Sequence, residues 1–418
     1  MPAHIAVVSI PAPGHVNPSL EVVRALVARG YRVTYANDPS MRAVVERTGA
    51  QLRPYASTLP KVNHAAAAEE SEGVEDAEKA DWGSDAIDAL TLFQTEYESM
   101  LPQLRALYEN DRPDLFLYDI AGMPARILAE QWGIPIVQIS PTYVAWEGYE
   151  ADMAEFTRSM RADPRGAALH ERQQQFLRNE GIDADADSFL GRPPRAVVLI
   201  AKSMQPNADR VDESVYTFVG PALPEHRDAD GDWTPPEGER ALLVSLGTAF
   251  TADAGFYRRC IDAFGPMDGW RLILQIGRTV DPDDLGELPT NVEVHRWVPQ
   301  FDILRHADAF VTHAGMGGSS EGLATGTPMI CAPQAVDQFG NADALVEAGV
   351  AVRVDSETVT PQELREALDH ITSESVRTRS RELADEMRAA GGAAAAVAVI
   401  ESALEQADWA AAKIAGGR

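Results

Sequence analysis

Two groups of residues in this sequence have the types and spacing that chemistry needs. The first is Gly14-His15-Val16-Asn17-Pro18, which follows directly on the apolar run 4–10. A histidine at the carboxyl end of a buried strand protrudes from the sheet edge, and its pKa suits it to take a proton near neutrality. Asp119 ends another such run, after Tyr118, at the same edge. A carboxylate behind a histidine fixes its tautomer and stabilises the imidazolium that proton uptake creates. Together they would activate a hydroxyl, a poor nucleophile until its proton is taken. A lone strand-end histidine is more often a structural residue; the GHVNP context and Asp119 favour the catalytic reading.

The second group opens at Trp297-Val298-Pro299-Gln300 and continues through His313-Ala314-Gly315-Met316-Gly317-Gly318-Ser319-Ser320-Glu321. It sits where a strand, 309–312, gives way to a helix opening near Gly318. Glycines there let backbone approach a ligand closely, and a helix N-terminus offers free N–H donors and a positive dipole end. With His313 as a further donor, the turn suits an anion, most simply a diphosphate. Glu321, one turn into the helix, would accept from ribose hydroxyls. The next strand delivers Asp337-Gln338, an acceptor and an amide suited to vicinal sugar hydroxyls. Taken singly, Trp297 reads as a core tryptophan and Asp337 as a surface acid, and HAGMGG does not fit the dinucleotide GxGxxG pattern. Their order and spacing favour one ligand site.

At this point the sequence resembles the UDP-dependent glycosyltransferases that share the two-lobed GT-B architecture, whose donor signature corresponds to 297–338. The stretches THAGMGGSSEGLATGTPMICAPQAVDQFGNAD, GHVNPSLEVVRALVARGYRVTYA, DLFLYDI, LVSLGTAF and ADRVDESVYTFVG resemble the actinomycete macrolide glucosyltransferases more closely, over nearly the whole chain. The resemblance implies that Trp297, followed by Val298, stacks on uracil and that Gln300 touches base or ribose. It implies that Glu321 binds ribose and that Asp337 and Gln338 bind the hexose. His313 and the amides of the Gly315–Ser319 turn, Gly317 and Gly318 above all, would hold phosphate. Ser245, Gly247 and Thr248 of the VSLGT turn would help. The plant branch has Trp and Asn-Ser where this chain has Met316 and Gly317-Gly318, which moves phosphate contacts towards the backbone. His15 and Asp119 match the family's general base and its partner, for a single displacement with inversion and no covalent enzyme intermediate.

Positioning such residues takes strands that end at a common edge. Runs at 4–10, 31–36, 51–55, 114–118, 134–139, 196–201 and 216–219 read as buried strands. Helices are expected at 19–29, with Pro18 at the start, and at 41–48, 85–109 and 124–132. A second series starts at Ala241 and continues through 271–276, 292–295, 309–312, 329–332 and 350–354. Repeated βα units with continuous apolar strands imply parallel sheets. The fold expected is α/β, two Rossmann-like lobes facing a cleft, with ligands at the carboxyl ends of the strands. Boundaries fall at 1–219 for an acceptor-binding lobe, 220–240 for a Pro/Gly/Asp-rich linker and 241–399 for a donor-binding lobe. The tail 400–418 forms a helix that packs back on the first lobe. The stretch 65–82 is acidic, without apolar period, and reads as a surface loop; 151–180 is a charged helical insertion. Acceptor contacts are sought at 55–82, 141–150 and after 151, with Tyr143 and Trp146 as apolar walls or, equally, core residues.

Composition sets the outer limits. The chain has 418 residues, and its 64 acidic against 36 basic residues give a net charge of −28. That field repels nucleic acid and anionic bilayers, so no nucleic-acid or membrane partner is expected. Cys260 and Cys331 lie in apolar surroundings and suit a reducing cytoplasm. No signal peptide and no window approaching a membrane span is read, so the location expected is cytoplasmic. Two Asp runs, 183/185/187 and 228/230/232, read as solvated loops, with Trp233 where a calcium loop needs glycine. No cofactor and no essential metal is expected, and leaving-group charge falls to His313 and the helix terminus. His4, His64, His170, His226, His295, His306 and His370 lack ligand spacing. Partners expected are UDP-glucose and a hydrophobic acceptor, by resemblance a macrolide, in self-resistance or detoxification; a homodimer is allowed, though no heptad seam specifies one. The alternatives are a transferase of TDP-deoxysugars, which Asp337-Gln338 argues against, and a non-catalytic sugar-nucleotide-binding protein, which His15 and Asp119 argue against.

Overall fold

The computed structural model describes residues 2–60, 85–224, 233–247, 254–335 and 337–416, with backbone alone for the last nine. The chain forms two compact units, each built on its own parallel sheet. The first runs to Leu199, resumes over Asn207–Ala222 and takes in the chain from Ala393 on. The second holds Ile200–Pro206 and Leu223–Gly392.

In the first unit the strands are β1 (His4–Val8), β2 (Arg32–Asn37), β3 (Gln51–Pro54), β4 (Leu115–Asp119), β5 (Ile136–Ser140), β6 (Ala196–Val198) and β7 (Tyr216–Phe218). They lie in the order β3-β2-β1-β4-β5-β6-β7, all parallel. Every residue of β1 and β4 is buried, as expected for strands covered on both faces. Alternation sorts their side chains. Ile5, Val7, Leu115 and Leu117 pack with Val22, Val23 and Leu26 of the Pro13–Ala28 helix, while Ala6, Val8, Phe116 and Tyr118 meet Met100, Leu104 and Ile127.

The second unit has β8 (Arg240–Ser245), β9 (Trp270–Gln275), β10 (Val292–His295), β11 (Ala309–Thr312), β12 (Met329–Cys331) and β13 (Ala351–Arg353). Their order is β10-β9-β8-β11-β12-β13, again all parallel. Leu242, Val244, Leu272, Leu274 and Val311 form its core with Phe256, Cys260 and Phe264 on one helix and Leu364 and Leu368 on another.

In both sheets the chain adds strands on one side of the first strand, then crosses to the other side. This creates a switch point between β1 and β4 and another between β8 and β11, the positions where open α/β sheets bind ligands.

Some expectations change. The first helix begins at Pro13, not Ser19, and Pro18 lies inside it. Pro13 is the proline at the helix start, while Pro18 only removes a bond to the carbonyl of Gly14, an exposed residue. The helix near Gly318 begins two residues earlier, at Met316. By length and composition alone, the helical stretch Glu374–Ala407 would suffice to cross a membrane, contrary to expectation. Its apolarity comes largely from alanine, and Ala396, Val397, Ile400 and Ala403 are buried in the first unit's core. Gly391 and Gly392, with φ of 91° and 50°, break it into the helices Glu374–Ala390 and Gly392–Gly416. The acidic stretch 65–82 lies outside the described residues.

Candidate active site

The first switch point carries the first pair of residues. β1 and β4 are neighbours in register, with Val8 opposite Tyr118. His15 occupies the third position of the Pro13–Ala28 helix, and Asp119 ends β4. His15 Nδ1 lies 2.7 Å from Asp119 Oδ2. A carboxylate cannot donate, so Nδ1 carries the proton and Nε2 keeps its lone pair. The Asp119 side chain is 3% exposed and that of His15 24%, so the pair has a buried base and an accessible tip. Burial pulls the His15 pKa down, but Asp119's charge and hydrogen bond outweigh it and leave it above the ordinary 6.5.

The same Asp119 oxygen accepts from the Ala121 amide at 2.8 Å. The turn that places it is tight: the Gly122 amide donates to the Asp119 carbonyl at 2.6 Å, and a Cβ on Gly122 would sit 2.4 Å from the Val8 carbonyl oxygen. Linking β1, β2 and the Pro13–Ala28 helix, the Tyr35 hydroxyl bridges Ser9 Oγ (3.0 Å) and Ser19 Oγ (2.9 Å), and Asn37 Nδ2 donates to Ser9 Oγ at 2.8 Å. Burial pushes Tyr35 up to about 12, so it stays a neutral donor. Sequence reading missed this support. Its only signal was Ser19, one helical turn after His15.

Tyr143 follows β5, whose carboxyl end lies beside that of β4. Trp146 donates its indole N–H to Asp152 at 2.7 Å and meets the Tyr149 ring edge-on at 4.9 Å. As a wall for an acceptor it therefore offers its ring and no donor.

The second switch point carries the second group. Thr312, ending β11, is opposite Ser245, ending β8. The His313 ring lies between two glycine backbones. A Cβ on Gly247 would stand 2.6 Å from its Cε1, and one on Gly315 2.4 Å from its Nε2. Gly247 also needs its left-handed φ of 79°. Ala314 has a φ of 60°, a conformation costing a non-glycine residue about 1–2 kcal/mol. It is held by a bond from its amide to Thr312 Oγ1 (3.2 Å) and one from Asn341 Nδ2 to its carbonyl (3.0 Å).

The helix Met316–Thr325 starts from Gly315, and its first i→i+4 bond runs from the Ser319 amide to the Gly315 carbonyl. The amides of Met316, Gly317 and Gly318 thus form the donor end of the helix. Gly317 is exposed. The hydroxyls of Ser245 and Ser319 are buried with no hydrogen-bond partner among the described residues. Burial lowers the His313 pKa to about 4, against the opposing pull of Asp337's charge and the Ser245 backbone. His313 is therefore neutral at physiological pH and acts as a hydrogen-bonding group, not a cation. Thr248 lies outside the described residues.

Trp297 is 48% exposed, which removes the core reading and leaves its face open for stacking. Gln300 Nε2 donates to Glu321 Oε2 at 2.7 Å, so the expected base and ribose contacts are locked together. Two of the expected donor-site residues have polar atoms engaged within the protein. Val298 is buried and its amide donates to Gln275 Oε1 at 3.1 Å, so it anchors the turn under Trp297 and offers a ligand neither side chain nor N–H. Gln338 is buried too. Its Oε1 accepts from the Gln334 (2.8 Å) and Ala335 (3.2 Å) amides, so that oxygen shapes the loop and is not free for sugar hydroxyls. Asp337 is exposed and accepts from Asn341 Nδ2 at 3.0 Å.

Of the acidic runs, Asp185 caps the Ala186–Gly191 helix and Asp187 pairs with Arg161; the run 228/230/232 lies outside the described residues. Among the described residues no group of three or more His, Cys, Asp or Glu could hold a metal ion.

Two parallel sheets, one ending in a histidine–carboxylate pair and the other in a helix terminus with free N–H donors, are the architecture of a two-lobed nucleotide-sugar transferase. Known proteins agree. Residues 271–380 match the model of the family described as UDP-glucoronosyl and UDP-glucosyl transferase. The chain is 52% identical over 406 residues to an oleandomycin glycosyltransferase of Streptomyces antibioticus, covering 96% of this chain and 91% of the relative. It is 35% identical to an NDP-glycosyltransferase of Bacillus licheniformis, covering 96% and 98% of the two chains. The solved structure of the glycotransferase of kitacinnamycin superposes with a TM-score of 0.87 at 48% identity, over 96% of this chain and 99% of that one. The protein belongs to the UDP-dependent glycosyltransferase family, with the GT-B fold, and is an enzyme.

Proposed function

We propose that this enzyme transfers glucose from UDP-glucose to a hydroxyl of a hydrophobic natural product, a macrolide, with inversion and without a metal. The observation that carries the reading is the 2.7 Å His15–Asp119 pair, with Nε2 left as a base at the carboxyl edge of the first sheet. His15 Nε2 takes the proton of the acceptor hydroxyl. The acceptor oxygen forms its bond to the anomeric carbon as the bond from that carbon to the diphosphate oxygen breaks. The electron pair leaves with UDP, and the proton rests on His15, where Asp119 stabilises it. The amides at the start of the Met316–Thr325 helix and His313 receive the developing charge on the diphosphate. Trp297 supplies the stacking face for the base, the Gln300–Glu321 pair the ribose contacts, and Asp337 the hexose contact. The 52% identity to an oleandomycin glycosyltransferase supports a macrolide acceptor, and the buried free thiols Cys260 and Cys331 suit a reducing cytoplasm. Modifying an antibiotic hydroxyl would serve self-resistance.

Mass spectrometry after incubation with UDP-glucose and a panel of macrolides and phenols tests this. A gain of one hexose on a macrolide, unchanged by a metal chelator, is expected. Absence of hexose on every acceptor would sink the reading, and faster turnover with TDP-deoxysugars would replace the donor.

A further inference from the structure

We propose that Asn341 is a positioning residue that ties the phosphate end of the donor site to its hexose end. The inference rests on the donor-site reading above. Asn341 is 0% exposed, in the first turn of the Gln338–Glu347 helix and four residues after Asp337, so it cannot touch solvent and works through its neighbours. Its single side-chain nitrogen donates to the Ala314 carbonyl and to Asp337 Oδ2, both at 3.0 Å. An amide nitrogen has two hydrogens, and these two acceptors take one each.

Each bond fixes something the ligand would meet. Ala314 stands between His313 and Gly315 in a left-handed conformation that L side chains rarely adopt. Its amide is held from one side by Thr312 Oγ1, and Asn341 holds its carbonyl from the other. In a planar trans peptide the carbonyl and the following N–H point in opposite directions. Holding the Ala314 carbonyl on Asn341 therefore turns the Gly315 N–H to the other side and fixes the entry into the Met316–Thr325 helix. The Asp337 carboxylate is exposed and would otherwise rotate; with Oδ2 held, its plane is set and Oδ1 is left for hydroxyls. The nearness of the two ends also shows in His313, which feels the charge of Asp337.

The ratio of the Kd for UDP to the Kd for UDP-glucose isolates what the hexose adds, and calorimetry on the full-length enzyme measures both. Asn341→Ala and Asp337→Ala should each lower that ratio by about tenfold, the loss of one charge-assisted hydrogen bond. The double variant should show the same ratio as Asp337→Ala alone, because Asn341 acts on the hexose through Asp337. Asn341→Ala should also weaken UDP itself, and Asp337→Ala should not. Asn341→Asp keeps the size but sets a buried carboxylate against Asp337 and the Ala314 carbonyl; it should lose the ratio and lower the melting temperature more than Asn341→Ala does. A role in stability alone would weaken UDP and UDP-glucose in parallel and leave the ratio intact, which overturns the proposal. So does a double variant whose losses multiply. If Asp337→Ala leaves the ratio unchanged, the hexose-clamp reading fails first, and the proposal with it.

Discussion

On the proposed reading His15 concentrates the chemistry, and its neighbours dictate how activity and stability vary with pH. Asp119 holds its pKa above 6.5 against the effect of burial. A general base must be neutral, so kcat/KM should rise with pH through an inflection above 6.5. In Asp119→Asn the opposing charge is gone and burial remains, so the inflection should move to lower pH. A pH–rate profile in which the unmutated enzyme and Asp119→Asn share one inflection would disprove the coupling. Stability runs the other way: a raised pKa gives a contribution present below 6.5 and lost as pH rises through the folded value. His313 has the opposite sign. With its pKa near 4, its environment favours the fold above 6.5 and costs stability as pH falls towards 4. Removing the base, as in His15→Ala, should lower kcat about a hundredfold to ten-thousandfold with little change in donor affinity. At this scale the sequence exposed residues by their chemical type, and the structure puts His15 against Asp119 and Gln300 against Glu321 and leaves Trp297 exposed. It did not show that Val298 and Gln338 are buried, because burial is a tertiary property. It passed over Asn341 for the same reason, although a spacing of four from Asp337 at a helix start was there to be seen.

Strands and helices hold these residues through close backbone approaches that tolerate no side chain. Gly122 shows this most sharply. Its missing Cβ leaves room for the Val8 carbonyl, so the turn after β4 presses against the end of β1 and brings Asp119 to His15. Gly122→Ala should force these strands' ends apart. The expected result is a melting temperature lower by several degrees, on the scale of about 1–3 kcal/mol for overpacking, together with a fall in kcat. Gly133→Ala is the control, since its site is open and only its φ of 66° resists a side chain; it should lose stability with kcat kept. If Gly122→Ala keeps full kcat, the turn is not what positions Asp119. Strands were the legible elements, because buried parallel strands write themselves as unbroken apolar runs. Helix starts were less so. Pro18 and Gly318 each carry a local boundary signal, yet the starts are set by Pro13 and by Gly315 beneath His313. Such choices depend on what lies opposite in space.

Across the whole molecule, the end of the chain belongs to its beginning. Although it follows the second unit in sequence, the helix Gly392–Gly416 buries Ala396, Val397, Ile400 and Ala403 in the first unit's core, and Glu401 pairs with Arg29 at 2.6 Å. Ile400→Ala should cost about 2–5 kcal/mol. Hydrogen exchange should show the loss of protection in β1 and β2, while β8 and β11 stay protected; loss confined to the second unit would contradict the division. Charge acts on the same scale. On the proposed function a net charge of −28 surrounds a site that would admit a doubly charged diphosphate, and neutral His313 adds no positive charge to draw it in. Arg296, exposed beside Trp297, opposes the field locally, but the summed repulsion reaches farther when salt is scarce. The screening length is about 30 Å at 0.01 M and about 8 Å at 0.15 M. Raising salt over that range should therefore lower the KM for UDP-glucose, by about two- to fivefold if the repulsion acts mainly on association. An uncharged acceptor should show no such trend. A donor KM that rises with salt would mean that local positive charge, the helix terminus included, outweighs the summed repulsion.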